Sequence, residues 1–232
     1  MTPILEFIMY VHHFAPTVLG VTLFVAGIAV SVMPWVLFAL GGVVLLLILW
    51  FIQYMLNQTV GFGTDTTTGP GTALLQACAL LPVSTTPFTH YPSAWIAMIT
   101  FYCVYIMRNA ANVYQTKPIK ASRDTIGVQQ RMGMALISFI TTLIVFLCLI
   151  ALRFYFTGTN ISSFHSFFLG QTGCENGVGA LFGIVLGLLW GVGWWTVLHI
   201  CDSTLSDVHQ VLGGLKADSG LKMNPLACSR SL

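Results

Sequence analysis

The chain reads as an all-α polytopic transmembrane helical bundle of about five spans, with one further short interfacial or re-entrant helix. Composition argues for it first: of 232 residues 56% are hydrophobic and only 7% charged, whereas an ordinary soluble domain is about one quarter charged. Nine Lys+Arg and seven Asp+Glu cannot build a water-facing surface at this length. Mean hydropathy is +0.84. Finally, five stretches supply the ~20 apolar residues needed to cross roughly 30 Å of hydrocarbon.

The first two spans are expected at residues 14–33 and 35–56. No charge lies between Glu6 and Asp65, so residues 1–56 form one apolar block. A continuous helix of about 40 residues would run ~60 Å, twice the bilayer, so the block must fold back. Pro34 is the strong breaker near its middle, and proline disfavours helical geometry in the residue before it, which places a tight hairpin at residues 32–35. The piece before Phe14, ILEFIMYVHHF, lacks the basic start and small-residue cleavage pattern of a signal peptide. It reads as an interfacial segment or an extension of the first helix.

Residues 57–92 turn to Gly, Thr, Pro and Ser, as in GFGTDTTTGPGT and PVSTTPFTHYPS, which are loop residues for backbone reasons. The glycine-rich part lacks the GK[ST] of a phosphate-binding loop. Inside this loop ALLQACALLPV, residues 73–83, is too short to span and predicts the interfacial or re-entrant helix. Residues 93–200 hold three spans, at 93–114, 132–156 and 177–200, the first two joined by the polar link QTKPIKASRDTIGVQQR. Residues 201–232 are a tail of mixed charge, in which 203–215 could form a short amphipathic helix capped by Ser203 or Thr204.

Basic residues in short loops mark the cytoplasmic side. The link carries Lys117, Lys120, Arg123 and Arg131, with Arg108 just before it, and the tail adds Lys216, Lys222 and Arg230. The loop before the third span has no Lys or Arg, and the loop after the fourth has only Arg153, at the helix end. Link and tail are therefore expected on the cytoplasmic side and the N-terminus opposite. Two glycosylation sequons, at Asn57 and Asn160, fall in segments read as non-helical on that opposite side. If that side is oxidising, Cys78 and Cys174 are the pair that could bridge; two isolated thiols are the other reading.

Gly179, Gly183, Gly187 and Gly191 stand at strict four-residue spacing in the fifth span. Positions i and i+4 share a helix face, so the four make a smooth groove about three turns long. Another helix backbone can approach closely there, from this chain or from a second copy. Arg108, Asn109 and Asn112 lie in the last turns of the third span. An ionisable residue at membrane depth is a functional candidate, though Arg108, like Arg153, is near enough to a helix end to snorkel to the headgroups. Trp35, Trp50, Tyr54, Trp95, Tyr155, Trp190, Trp194 and Trp195 stand near span ends, as in an interfacial aromatic belt.

Several classes drop out. No cluster of Lys or Arg of the kind that grips a phosphate backbone is present, which argues against nucleic-acid partners. No CxxC, Cys/His zinc spacing, HExxH or Ser/His/Asp arrangement can be placed, so no catalytic residue, metal ligand or cofactor is assigned. His199, Cys201, Asp202, Asp207 and His209 cluster in sequence without matching a zinc pattern. No acid lies inside an expected span, which argues against ion-coupled transport.

The segment TPFTHYPSAWIAMITFYCVYIMRNAANVYQTKP, a basic link, then RMGMALISFITTLIVFLCLIALRFYF has a Pro-Ser entry into a Tyr-rich span, an Asn-rich exit and an Arg-led next span. In this it resembles the multi-pass membrane proteins of large icosahedral double-stranded DNA viruses, which lie in the membrane under the capsid. The resemblance implies a non-enzymatic structural or assembly role in a virion's internal membrane, with loops or tail meeting minor capsid proteins. Expected partners are the lipid bilayer, other membrane or capsid proteins, and further copies of the chain. The alternatives are a small transporter or channel subunit and, behind it, a lipid-modifying membrane enzyme.

Overall fold

A computed structural model describes residues 3–60, 92–116, 125–156 and 177–209. Among these the chain is all-helical: α1 (Pro3–Ala29), α2 (Met33–Val60), α3 (Ala94–Gln115), α4 (Thr125–Phe156) and α5 (Gly177–Cys201). All five are long and apolar enough to cross a membrane. The expected short helix at 73–83, Cys78, Cys174 and Asn160 lie outside the described residues. We call the end where α3 and α5 begin the entry end, and the end where α5 hands over to residues 202–209 the tail end.

The N-terminal piece is an extension of the first helix, since α1 begins at Pro3. Its other end closes through paired bonds: Val32 N–H donates to Gly27 O (2.8 Å) and Ser31 N–H to Ile28 O (3.1 Å). Ser31 takes the left-handed φ of 57° that such a closure requires and that glycine usually supplies. The turn thus occupies residues 30–32, earlier than the expected 32–35. Pro34 does not break the chain. It sits in the first turn of α2, where its missing N–H would have no helical acceptor. Gly27 makes the hairpin tight: a Cβ there would lie 2.8 Å from Val36 Cγ2 and 2.9 Å from Val36 N.

Two other boundaries differ from expectation. α2 runs on to Val60, which places Asn57 in its last turn, so that sequon is helical rather than in a loop. α4 starts at Thr125 and takes TIGVQQR from the expected link, because the strong breaker there, Pro118, lies upstream. Arg131 is therefore a helical residue. It is buried, and its Nη2 donates to Thr116 O at 3.0 Å, placing a cation on the carbonyl that closes α3.

α3 is the least apolar of the five crossing segments and the most buried. Polar side chains in lipid need protein partners, so the helix that carries them is drawn to the centre. It is capped by Ser93, whose Oγ accepts from Ile96 N–H at 3.3 Å. On one side α3 meets α2 and α5 in a core of Phe38, Leu45, Leu49, Phe101, Tyr102, Tyr105 and Trp195. On another, Trp95, Ile96, Ile99 and Cys103 pack with Ala180 of α5 and with Phe146, Leu149 and Ile150 of α4. The outer face of α4, including Ile137, Ile144 and Leu147, is exposed, as a lipid-facing surface would be.

The glycine face of α5 lies on α3. A Cβ at Gly183 would stand 2.7 Å from Ser93 O; at Gly187 it would strike Ala97 O and come within 2.7 Å of Thr100 Cβ; and at Gly191 it would be 3.1 Å from Phe101 O. At the entry end Ser93 N–H donates to Gly179 O at 3.0 Å. The groove therefore joins two helices of one chain and is covered within it.

Candidate functional site

The polar residues expected at the end of α3 gather with residues the sequence reading left in the tail. Tyr105, Arg108, Asn109 and Asn112 recur at helical spacing on α3, and the chain after α5 folds back onto Tyr105 and Asn109, whereas the Asn112 carbonyl closes the helix by accepting from Thr116 N–H and Oγ1. Tyr105 Oη donates to Ser206 O (3.3 Å), and Asn109 Nδ2 donates to Asp207 Oδ1 (3.3 Å). Asn109 and Asp207 are both fully buried. Trp35 Nε1 of α2 donates to Val208 O (2.9 Å), and Ser138 Oγ of α4 lies 3.0 Å from His209 Nε2. The described part of the tail, residues 202–209, is thus a series of turns tied to α2, α3, α4 and α5, where the sequence allows a short amphipathic helix over 203–215. Asp202 starts it by accepting Thr204 N–H on Oδ1 (2.8 Å), a side-chain turn that competes with helix.

Ser206 links this turn to α5. Its Oγ donates to Ser203 O (3.0 Å) and lies 3.1 Å from His199 Nδ1. When the hydroxyl proton is given to Ser203 O, the imidazole Nδ1–H is the donor there. His199 also stacks on Trp195, one turn earlier on the same face of α5, at 4.5 Å and 15°. Arg108 lies against α5. Its guanidinium carbon lies over the Trp195 ring, 4.5 Å from the centroid.

A second stack of the same three residue types closes the entry end. His12 of α1 stacks on Trp95 of α3 (4.7 Å, 27°), and Arg153 of α4 lies over the same ring at 5.1 Å. Trp95 Nε1 donates to His12 O (3.2 Å), and His12 Nε2 lies 3.2 Å from Leu149 O. Arg153 is only 3% exposed, so it is held inside the protein and not among headgroups. A cation over an indole gains up to about 2 kcal/mol when desolvated, against roughly 2.5–3.5 kcal/mol for placing Arg at the centre of a membrane helix. Stacking offsets most of that cost but leaves a residue for hydrogen bonds to cover.

The aromatic belt divides in the same way. Trp190 and Trp194 of α5 stack on each other at 5.7 Å and donate to Gly41 O (2.9 Å) and Leu37 O (3.0 Å) of α2, so both are interhelical ties. Trp50, Tyr54 and Tyr155 remain exposed, as interfacial residues would be. Among the described residues some buried polar atoms have no hydrogen-bond partner: Thr100 Oγ1, Asn109 Oδ1, Arg131 Nε and Trp195 Nε1.

No three His, Cys, Asp or Glu among the described residues come close enough to hold a metal ion. His199, Cys201, Asp202, Asp207 and His209 do not gather as a set: His199 faces Ser206, Asp202 holds Thr204, Asp207 takes Asn109 and His209 meets Ser138, while Cys201 is exposed. The Trp195–His199 pair was legible as an i, i+4 pair. The stack at Trp95 was not, since its members come from three helices. The burial of Asp207 against α3 was not legible either, because nothing local says that the tail returns.

These features define the class: a polytopic α-helical protein of the membrane-spanning type, with a central polar helix and a tail built into one end. Comparison with protein-family models, curated proteins and solved structures returns no match.

Proposed function

We propose that this chain is a non-enzymatic multi-pass membrane protein with a structural or assembly role, and that, in the setting its sequence resemblance implies, it joins a virion's internal membrane to the capsid. The observation that carries the structural role is the α3–α5 seam. A carrier that alternates between two states needs helices that rock or slide past one another. Backbones pressed together through Gly183, Gly187 and Ala97 resist both movements.

The placement of polar groups supports the same reading. Among the described residues they collect mainly at the two ends of the bundle, where those at the tail end of α3 hold residues 202–209, rather than lining a path across the bundle of the kind a pore requires. A tail held at that point hands residues 210–232 to a partner from a rigid base.

Cross-linking in the native membrane, followed by mass spectrometry, tests the proposal. The expected result is that Lys216 and Lys222 link to a partner outside the bilayer, and, in purified virions, to a capsid protein. Solute flux from liposomes holding the pure protein, abolished by Asn109→Ala with assembly intact, would instead establish a channel or transporter subunit.

A further inference from the structure

We propose that Arg108 and Trp195 form a site for one anionic, phosphate-bearing lipid headgroup at the tail end of the bundle. The protein supplies its own comparison, since it builds the Trp–His–Arg stack twice. At the entry end the stack is closed: Arg153 is almost wholly buried, and the Trp95 indole N–H is spent on His12 O. At the tail end Arg108 is half-buried and meets the Trp195 ring without a hydrogen bond or ion pair among the described residues. The indole N–H of Trp195, itself 2% exposed, is buried with no acceptor among them.

A guanidinium held over an indole keeps its N–H groups directed outward in its own plane, the geometry that takes two oxygens of a phosphate at once. The depth also fits. Tyr105 and Asn109 bond to Ser206 and Asp207, so the polar turn stands level with the helical turn that carries Arg108. The headgroup boundary is thus reached at Arg108 rather than at the end of α3. On the outer side of the same turns of α5, Val197 and Ile200 are exposed, as a lipid-facing surface would be. That favours a lipid over phosphate in solution. The charge placement in the sequence expects this end to face the cytoplasm, whose leaflet carries the anionic lipids.

The test is native mass spectrometry of the full chain in non-ionic detergent, titrated with phosphatidylserine or phosphatidylcholine of matched acyl chains. The wild type is expected to retain one phosphatidylserine at a concentration at least about tenfold below that needed for phosphatidylcholine. Arg108→Gln should abolish that preference, Arg108→Lys should keep part of it, and Arg153→Gln should leave it unchanged. Thermal melts of each variant exclude misfolding, and the Lys variant carries the test if the Gln variant fails to fold. Equal retention of the two lipids by the wild type, or an undiminished preference in Arg108→Gln, overturns the proposal. So does displacement of the lipid by millimolar inorganic phosphate, which would make the ligand a solution anion.

Discussion

Tyr102 sets its hydroxyl between two glycines from different helices: a Cβ at Gly20 of α1 or at Gly42 of α2 would lie 2.5 Å from Tyr102 Oη. The ring edge meets Phe38 at 5.3 Å and 89°, a favourable aromatic geometry. Gly42→Leu would push that ring out of its hole and is expected to destabilise by about 3 kcal/mol, the upper end for overpacking. Tyr102→Phe removes only the hydroxyl and should stay within about 1 kcal/mol. Thermal unfolding in detergent separates the two. Asn109 presents the opposite case, a polar group whose loss takes a hydrogen bond from a buried partner. Asn109→Leu withdraws the hydrogen bond to a buried carboxylate, an expected loss of about 1.5–3 kcal/mol. Asn109→Leu combined with Asp207→Leu should cost less than the two single changes together, which a double-mutant cycle reads directly.

Among the elements, the α5 glycine face best shows how far the sequence reaches. The spacing of Gly179, Gly183, Gly187 and Gly191 predicts close backbone packing, and α3 supplies it with Ser93, Ala97 and Phe101. Nothing in the spacing chooses between a helix of the same chain and one of another copy, because both present the same kind of surface. Gly187→Leu is accordingly expected to unfold or splay the monomer, seen as a lowered melting temperature, and not to convert an oligomer to a folded monomer. Size-exclusion chromatography with light scattering distinguishes these outcomes. The α1–α2 turn was legible to within a few residues, but its mechanism was not. Pro34 marked the neighbourhood of the break, while Ser31 and Gly27 make it.

At the scale of the whole molecule the tail is the piece that closes the bundle. Residues 202–209 accept or share hydrogen bonds with Trp35, Tyr105, Asn109 and Ser138, one or two from each of three helices. Truncation after Cys201 would leave all four without those partners and is expected to lower the melting temperature, whereas truncation after His209 keeps every one of these bonds and should leave it nearly unchanged. Similarly, the entry-end stack joins α1, α3 and α4 through His12, Trp95 and Arg153. Trp95→Ala should loosen α1 from the rest, measured as faster amide exchange in residues 11–29.

The solvent of this protein and the number and approximate places of its helices were written in its composition and hydropathy. They follow from a local property, the length of apolar chain set against the thickness of a bilayer. The scarcity of charge had the same local legibility, and no acid stands in any crossing segment. What local pattern could not reach were the partners: α3 beneath the glycines, indoles beneath Arg108 and Arg153, and Asp207 returned to Asn109. Each pairs groups far apart in sequence, such as Trp35 with Val208 and His12 with Leu149. In lipid, where polar groups find no water, such pairings arise only as the helices pack.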